Sequence, residues 1–155
     1  MNYTLYHTPF ATLHILEENN KILRITYFPF PYTLTDIDSP TLVKFKKQLD
    51  AYFSERTELS IPYQLPRTTT LFQERVFEAV AAIPMGETRT YQEIAHTIRS
   101  PKAQQAVGNA LRNNPLVLLI PCHRVVGKAK RGGYLGRSED MQAIKSKLLH
   151  HESRL

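Results

Sequence analysis

The sequence predicts an α+β chain of two domains: a small N-terminal β-sheet with one helix, then a mostly helical C-terminal domain with a helix-turn-helix of winged-helix-like form. Three observations predict it. Short β-branched and aromatic segments crowd the first third, helical spacing dominates from Leu71 onward, and the proline-containing stretch "TELSIPYQLPRTTT" between them marks a change of composition and charge. Residues 1–66 hold six Lys/Arg against seven Asp/Glu, a sum of −1, and residues 67–155 hold fourteen against seven, a sum of +7, which together give the formal charge of +6. The boundary is therefore expected near Pro66, dividing the chain into 1–66 and 67–155. At 155 residues and 42% hydrophobic composition the chain is long and apolar enough to build a core.

In the first domain, Tyr3–Tyr6, Ala11–Glu17 and Lys21–Phe28 read as strands of an antiparallel meander, the last two joined by the turn-forming pair Asn19-Asn20. "PFPYTLTDIDSP" breaks regular structure. Ser39-Pro40 then supplies an N-cap and a first-turn proline for a helix over Thr41–Ser54, with Leu42, Phe45 and Leu49 on one face. In the second domain, Leu71–Ile83 reads as a helix ending at Pro84-Met85-Gly86. Thr90 and Glu93 stand at capping-box spacing, so the next helix is expected to start after Thr90 and hold Tyr91 in its first turn. Ser100-Pro101 predicts a further helix over Lys102–Asn113, with Ala103, Ala106, Val107, Ala110 and Leu111 as its apolar stripe. Two helices joined so tightly suggest a helix-turn-helix. The other face of the second one presents Lys102, Gln104, Gln105, Asn109 and Arg112, side chains able to meet phosphates or base edges, with Gly108 permitting close approach. A solvated face of an ordinary helical hairpin has the same composition.

"LVLLIP" reads as a buried strand that ends at Cys122, the only cysteine. One thiol excludes internal disulfides and cysteine-rich metal sites, so nucleophilic chemistry rests on Cys122. A free cysteine usually packs as a small hydrophobe; what favours reactivity here is "PCHR", which sets His123 and Arg124 beside it. On an extended strand adjacent side chains point oppositely, so His123 serves Cys122 only if the backbone bends or a water relays the proton. "GKAKRGGYLGR" reads as a cationic, glycine-rich rim without the order of a nucleotide-binding loop. A last helix capped by Ser138 runs through Met141, Ile144 and Leu148 to Glu152, where the helix dipole disfavours a carboxylate. A partner such as a histidine, whose ring proton the carboxylate accepts, accounts for that placement; a solvated terminus is the plain alternative. No stretch approaches the roughly 18 apolar residues of a membrane span, and "MNYTLYHTPF" lacks the pattern of a secretory signal, so a cytoplasmic address is expected.

In order over residues 67–155, "LFQERVFEAVAAIPMGETRTYQEIA", "SPKAQQAVGNALRNNP", "IPCHRVV", "GGYLG" and "KSKLLHHE" resemble the O6-alkylguanine-DNA alkyltransferases, the methylated-DNA–protein-cysteine methyltransferases. The PCHRV block is the specific part. The resemblance implies a domain that enters the minor groove of double-stranded DNA, flips O6-alkylguanine (O4-alkylthymine being a further candidate) from the stack and moves the alkyl group irreversibly to Cys122. It implies His123 as a base acting through water, Glu152 as the carboxylate of that relay, Asn114 as a hinge holding the active-site loop, and Tyr91 as donor to the departing guanine. Tyr134, Leu135 and Lys145 match the base pocket, and Lys102, Ala103, Gln105, Gly108 and Arg112 the DNA-contacting set. No cofactor, no metal, no membrane and a monomer are implied, and a ribonuclease H-like arrangement is one form open to the N-terminal domain. Two positions depart from the family: Gln105 stands where an arginine is usual and Leu135 where a serine is common. Competing readings are a non-catalytic lesion-binding protein that recruits other repair, a transcriptional regulator, and a thiol hydrolase or redox sensor. Duplex binding through Lys102 and Arg112 is expected to weaken steeply with salt.

Overall fold

Short segments rich in aromatic, aliphatic and β-branched residues make the first third a meander. In the computed structural model, which describes residues 1–31, 34–128, 132–136 and 138–153, the strands are β1 (Asn2–His7), β2 (Thr12–Glu18) and β3 (Lys21–Thr26), antiparallel in the order β1-β2-β3. Register pairs Tyr3 with Leu16 and Ile15 with Ile25, and shifts at Leu16/Glu17. Asn19 and Asn20 both take positive φ (54° and 65°), the backbone that a tight primed hairpin turn demands and that asparagine tolerates. Helix α1 (Pro40–Glu55) is capped as expected, the Ser39 side chain accepting from Leu42 N and proline occupying the first turn. Its buried face is Leu42, Phe45, Leu49 and Tyr52.

One carboxylate ties these pieces together. Glu17 is 2% exposed, and it accepts from the Asn2 side chain at 3.0 Å, from Asn20 N at 3.0 Å and from the Ser39 hydroxyl. Burial alone would raise its pKa, but the three donors hold it below the ordinary value. Strand β1, the β2–β3 turn and the N-terminus of α1 thus converge on a single charge.

The chain falls into two compact units, Met1–Arg67 with Pro115–Leu119, and Thr68–Asn114 with Ile120–Leu155. The apolar run after Pro115 corrects the expectation of a strand. Leu116 makes one parallel bridge with Ile25, through Ile25 N to Pro115 O (2.9 Å) and Val117 N to Ile25 O (3.3 Å). Leu118 then turns at φ +72°, so the run is buried but never extends into a strand.

The second unit opens with α2 (Leu71–Ala81), whose Thr70 and Gln73 form a reciprocal capping box. Strand β4 (Arg89–Thr90) follows and pairs in parallel with β5 (Val125–Val126). Helix α3 (Tyr91–Thr97) begins where the Thr90–Glu93 box predicts. Its end overrides the Ser100-Pro101 signal. Arg99 N donates to His96 O (3.0 Å) and Ser100 N to Ala95 O (2.8 Å), with Arg99 at φ +61°, which closes α3 in a Schellman motif. Ser100 is spent on that closure. Helix α4 therefore starts at Gln104 with Ala103 as an N-cap lacking a side-chain bond, and Lys102 and Ala103 lie in the turn instead of the helix. Val107, Ala110 and Leu111 are buried; Ala106, expected in the stripe, is exposed. The chain then makes a short 3₁₀ turn at Cys122–Arg124, and α5 (Glu139–Ser153) closes the unit with Ser138 accepting from Met141 N at 3.2 Å. Ala129, Lys130, Arg131 and Arg137 of the glycine-rich loop lie outside the described residues.

Candidate active site

The site is assembled at the 3₁₀ turn. Pro121 directs the chain out of the apolar run, Cys122 N donates back to Ile120 O at 2.7 Å, and Arg124 N donates to Pro121 O at 2.9 Å. This bend removes the objection that neighbours on a strand diverge. Cys122, His123 and Arg124 are all buried, at 5%, 0% and 4% exposure.

Glu152 is the hub on the other side. Its carboxylate accepts from Arg124 Nε (2.8 Å) and Nη2 (2.9 Å) and is 2.8 Å from His123 Nε2, while Arg124 Nη1 donates to Ile83 O at 2.7 Å. Burial would raise the Glu152 carboxyl, yet the bonds from His123 and Arg124 hold it well below the carboxylate range. An ionised Glu152 accepts only, so the His123 proton sits on Nε2 and leaves Nδ1 as the basic nitrogen. Nδ1 is buried and makes no hydrogen bond to the protein. Burial lowers the pKa of His123 against the pull of Glu152, so the ring is neutral at rest.

Burial pushes the Cys122 thiol up to about 11; the Asn114 side chain and the charge of Lys145 work in the opposite direction. Asn114, 7% exposed, also donates to Ile120 O at 2.8 Å, which bridges the end of α4 to the residue two before the thiol. Lys145 is 1% exposed, and its ammonium donates to Val125 O (2.6 Å) and Gly133 O (2.8 Å) and lies 5.8 Å from the centroid of the Tyr91 ring. Tyr134, 1% exposed, meets His123 edge-on at 6.4 Å. Burial, then proximity to Cys122, raises the pKa of Tyr91, so its phenol keeps its proton. Gly132, at φ +78°, backs onto that phenol: a Cβ there would stand 2.6 Å from the Tyr91 oxygen. Leu135 takes φ +53° and is half-buried.

The catalytic set read from the sequence (Cys122, His123, Glu152, Asn114, Tyr91) and the pocket set (Tyr134, Lys145) therefore come together. The DNA-facing set does not enter this cluster: Lys102, Gln105 and Arg112 are exposed. Gly108 links the two, since a Cβ on it would stand 3.9 Å from the Tyr91 ring. Sequence reasoning missed the clamp of Arg124 on Glu152, whose 28-residue separation leaves no local signal, and took Gly132-Gly133 for a loose rim. Gly86, Thr88, Val126, Lys128, Leu149 and Glu152 are among the residues that bound a cavity of about 530 Å³; Cys122 does not line it. Among the described residues no cluster of His, Cys, Asp or Glu suits a metal ion, and no helix is long and apolar enough to cross a membrane.

Residues 71–154 match the DNA binding domain of 6-O-methylguanine DNA methyltransferase, and residues 1–65 match the ribonuclease-like domain of the same family. The constitutive methylated-DNA–protein-cysteine methyltransferase of Bacillus subtilis is 38% identical over 92% of this chain and 91% of its own length. That of Metallosphaera sedula is 36% identical over 100% of this chain and 95% of its own. Among solved structures, Mycobacterium tuberculosis O6-methylguanine methyltransferase superposes with a TM-score of 0.86 at 30% identity, covering 98% of this chain and 92% of that one. The M. tuberculosis protein in complex with DNA gives 0.83 at 32%, covering 99% and 93%. The chain belongs to the 6-O-methylguanine DNA methyltransferase family.

Proposed function

We propose that this protein repairs duplex DNA by taking the alkyl group of O6-alkylguanine onto Cys122, once per molecule. The observation that carries the reading is the His123–Glu152–Arg124 arrangement beside a buried thiol, in which one imidazole nitrogen is fixed and the other is free to accept a proton. The O6 atom is inaccessible within a base stack, so the guanine is flipped to reach the fixed thiol. Nδ1 of His123, through a water, takes the thiol proton as Sγ attacks the alkyl carbon. The Sγ–C bond forms, the C–O6 bond breaks, and its electron pair passes into the guanine, which takes a proton from the donor side where Tyr91 stands. Glu152 then faces imidazolium, and its charge stabilises that product. The thioether has no internal route back to thiol, so one protein is consumed per lesion.

Exposed Lys102, Arg112, Gln105 and the backbone at Ala103 and Gly108 form the face offered to the duplex, and Tyr134, Leu135 and Lys145 the surround of the flipped base. Gln105 fills the vacated stack less fully than an arginine would. Residues 1–66 act as scaffold and 67–155 bind DNA and accept the alkyl group; the protein works in the cytoplasm as a monomer and needs no cofactor. Incubating the protein with a duplex bearing one O6-methylguanine, then measuring intact mass and mapping the modified peptide, tests this. One methyl on Cys122 without turnover, absent in Cys122→Ser, is expected. Lesion DNA that binds while no methyl moves would replace the proposal with the lesion-sensor reading.

A further inference from the structure

Two arginines occupy the position that most helices give to glycine. Arg56 ends α1 at φ +56°, its N–H donating to Tyr52 O (3.1 Å) while Thr57 N donates to Ala51 O (3.3 Å). Arg99 ends α3 with the same left-handed backbone at φ +61°, in the tighter Schellman pattern. A left-handed backbone penalises any residue with a Cβ, and arginine carries no short polar group to offset it. The two side chains have different surroundings. Arg56 is half-buried and Arg99 is exposed; among the described residues neither guanidinium has a hydrogen-bond or ion-pair partner, so it is exposure and position that separate them.

No Asp or Glu occurs between Glu93 and Glu139, a stretch that contains Lys102 and Arg112, both exposed. Arg99 sits in the turn joining α3 to α4, three residues before Lys102, so it belongs to the element pair proposed above to face the duplex. An exposed guanidinium that no protein carboxylate engages suits a phosphate oxygen, which it can hold in bidentate fashion.

We propose that Arg99 grips one phosphate of the bound duplex from the turn between α3 and α4, and that this contact is what retains arginine at a position where glycine would fold better. The inference rests on the duplex-binding proposal for this face. Each phosphate neutralised contributes about 0.9 to the slope of log affinity against log salt, so one lost contact weakens binding roughly eightfold at 0.1 M salt relative to 1 M.

The test measures duplex affinity from 0.05 to 0.5 M salt, and thermal stability, for the parent, Arg99→Gly, Arg99→Gln and Arg56→Gly, with the ranges set by the expected slope of about 0.9 per contact. Arg99→Gly should melt higher yet bind more weakly with a slope shallower by about one. Arg99→Gln should lose the same slope without the gain in stability, because it keeps the strained backbone. Arg56→Gly should gain stability and bind as the parent does. If the parent binds duplex but Arg99→Gly and Arg99→Gln keep its affinity and slope, the proposal is overturned. If the parent itself shows no salt-dependent duplex binding, the duplex reading fails first.

Discussion

Replacing Glu152 by glutamine isolates the charge of the relay while keeping its volume. Glu152 receives two bonds from Arg124 and faces His123 Nε2, and both members of its ion pair with Arg124 are nearly sealed from solvent, at 1% and 5% side-chain exposure. A glutamine has one oxygen to accept with, so it serves Arg124 and turns its NH₂ toward His123, or the reverse. In either case a buried guanidinium loses its counter-charge. Breaking a buried pair by removing one partner costs about 3–5 kcal/mol. For a chain of this size each kcal/mol moves the melting temperature by about 2–4 °C, so a fall of roughly 6–20 °C is expected. The reverse orientation sets the NH₂ against the Arg124 donors, so the first is favoured; there His123, facing an NH₂ donor, presents Nε2 as acceptor and carries its proton on Nδ1, the nitrogen required as base. Loss of a general base lowers the single-turnover rate by roughly 10²–10⁴. The assays are thermal unfolding by circular dichroism, methyl transfer from O6-methylguanine duplex at saturating protein, and the nitrogen chemical shifts of His123, which report the tautomer. Glu152→Asp, which keeps the charge, should recover part of both losses. An unchanged melting temperature together with an Nε2–H tautomer in Glu152→Gln would falsify this account of the relay.

The thiol supplies a pH prediction. Its pKa is raised to about 11, so the thiolate is the minority form at neutral pH and alkylation of Cys122 by a small electrophile should climb about tenfold per pH unit, with no plateau until that pKa. A plateau near neutrality would indicate a resting thiolate–imidazolium pair and contradict the burial argument. Gly132→Ala should displace Tyr91, since the new Cβ lies 2.6 Å from its oxygen and the backbone is already at φ +78°; slower transfer with retained duplex affinity is expected, and a parental rate would show that Tyr91 needs no fixed seat. In the first unit, the Glu17 pKa is depressed, so its contribution to stability is complete above the ordinary value of 4.5 and is lost as pH falls through the lower folded value. Glu17→Gln should therefore flatten the acid limb of a stability–pH curve, and a parental acid limb in that variant would remove Glu17 from the explanation.

Local signals in the sequence were those that a few neighbouring residues generate. The Thr90–Glu93 box, the Ser39-Pro40 start and the Asn19-Asn20 turn each carry their own hydrogen bonds within a few positions, and each stands in the structure. The start of α4 was misread because Ser100 satisfies two descriptions, an N-cap for α4 and the closing residue of α3; only the left-handed Arg99 decides between them. "LVLLIP" has the composition of a buried strand, but a strand also needs a run of partners, and Ile25 offers a single bridge. The relay was legible as far as the pairing of His123 with Glu152. The grip of Arg124 on the same carboxylate and the hold of Lys145 on two carbonyls depend on contacts 28, 20 and 12 residues apart, which no periodicity records.

A protein that reacts once has a particular reason to bury its nucleophile. For a catalyst that turns over, a thiolate formed at rest raises the rate and an occasional side reaction removes little. Here each adventitious alkylation or oxidation of Cys122 removes the whole capacity of one molecule, so a resting thiolate is a liability. The site answers with a thiol that burial keeps protonated and a neutral His123 whose free nitrogen is shielded from solvent. Asn114 and Lys145 lower the thiol against that burial without overcoming it, which leaves a short distance for the lesion to close. When an alkylated base occupies the pocket, an electrophilic carbon stands at the sulfur and proton transfer to Nδ1 becomes part of a favourable displacement. Reactivity is thus conditional on the substrate, and the buried charges of Glu152, Arg124 and Lys145 hold that condition in place.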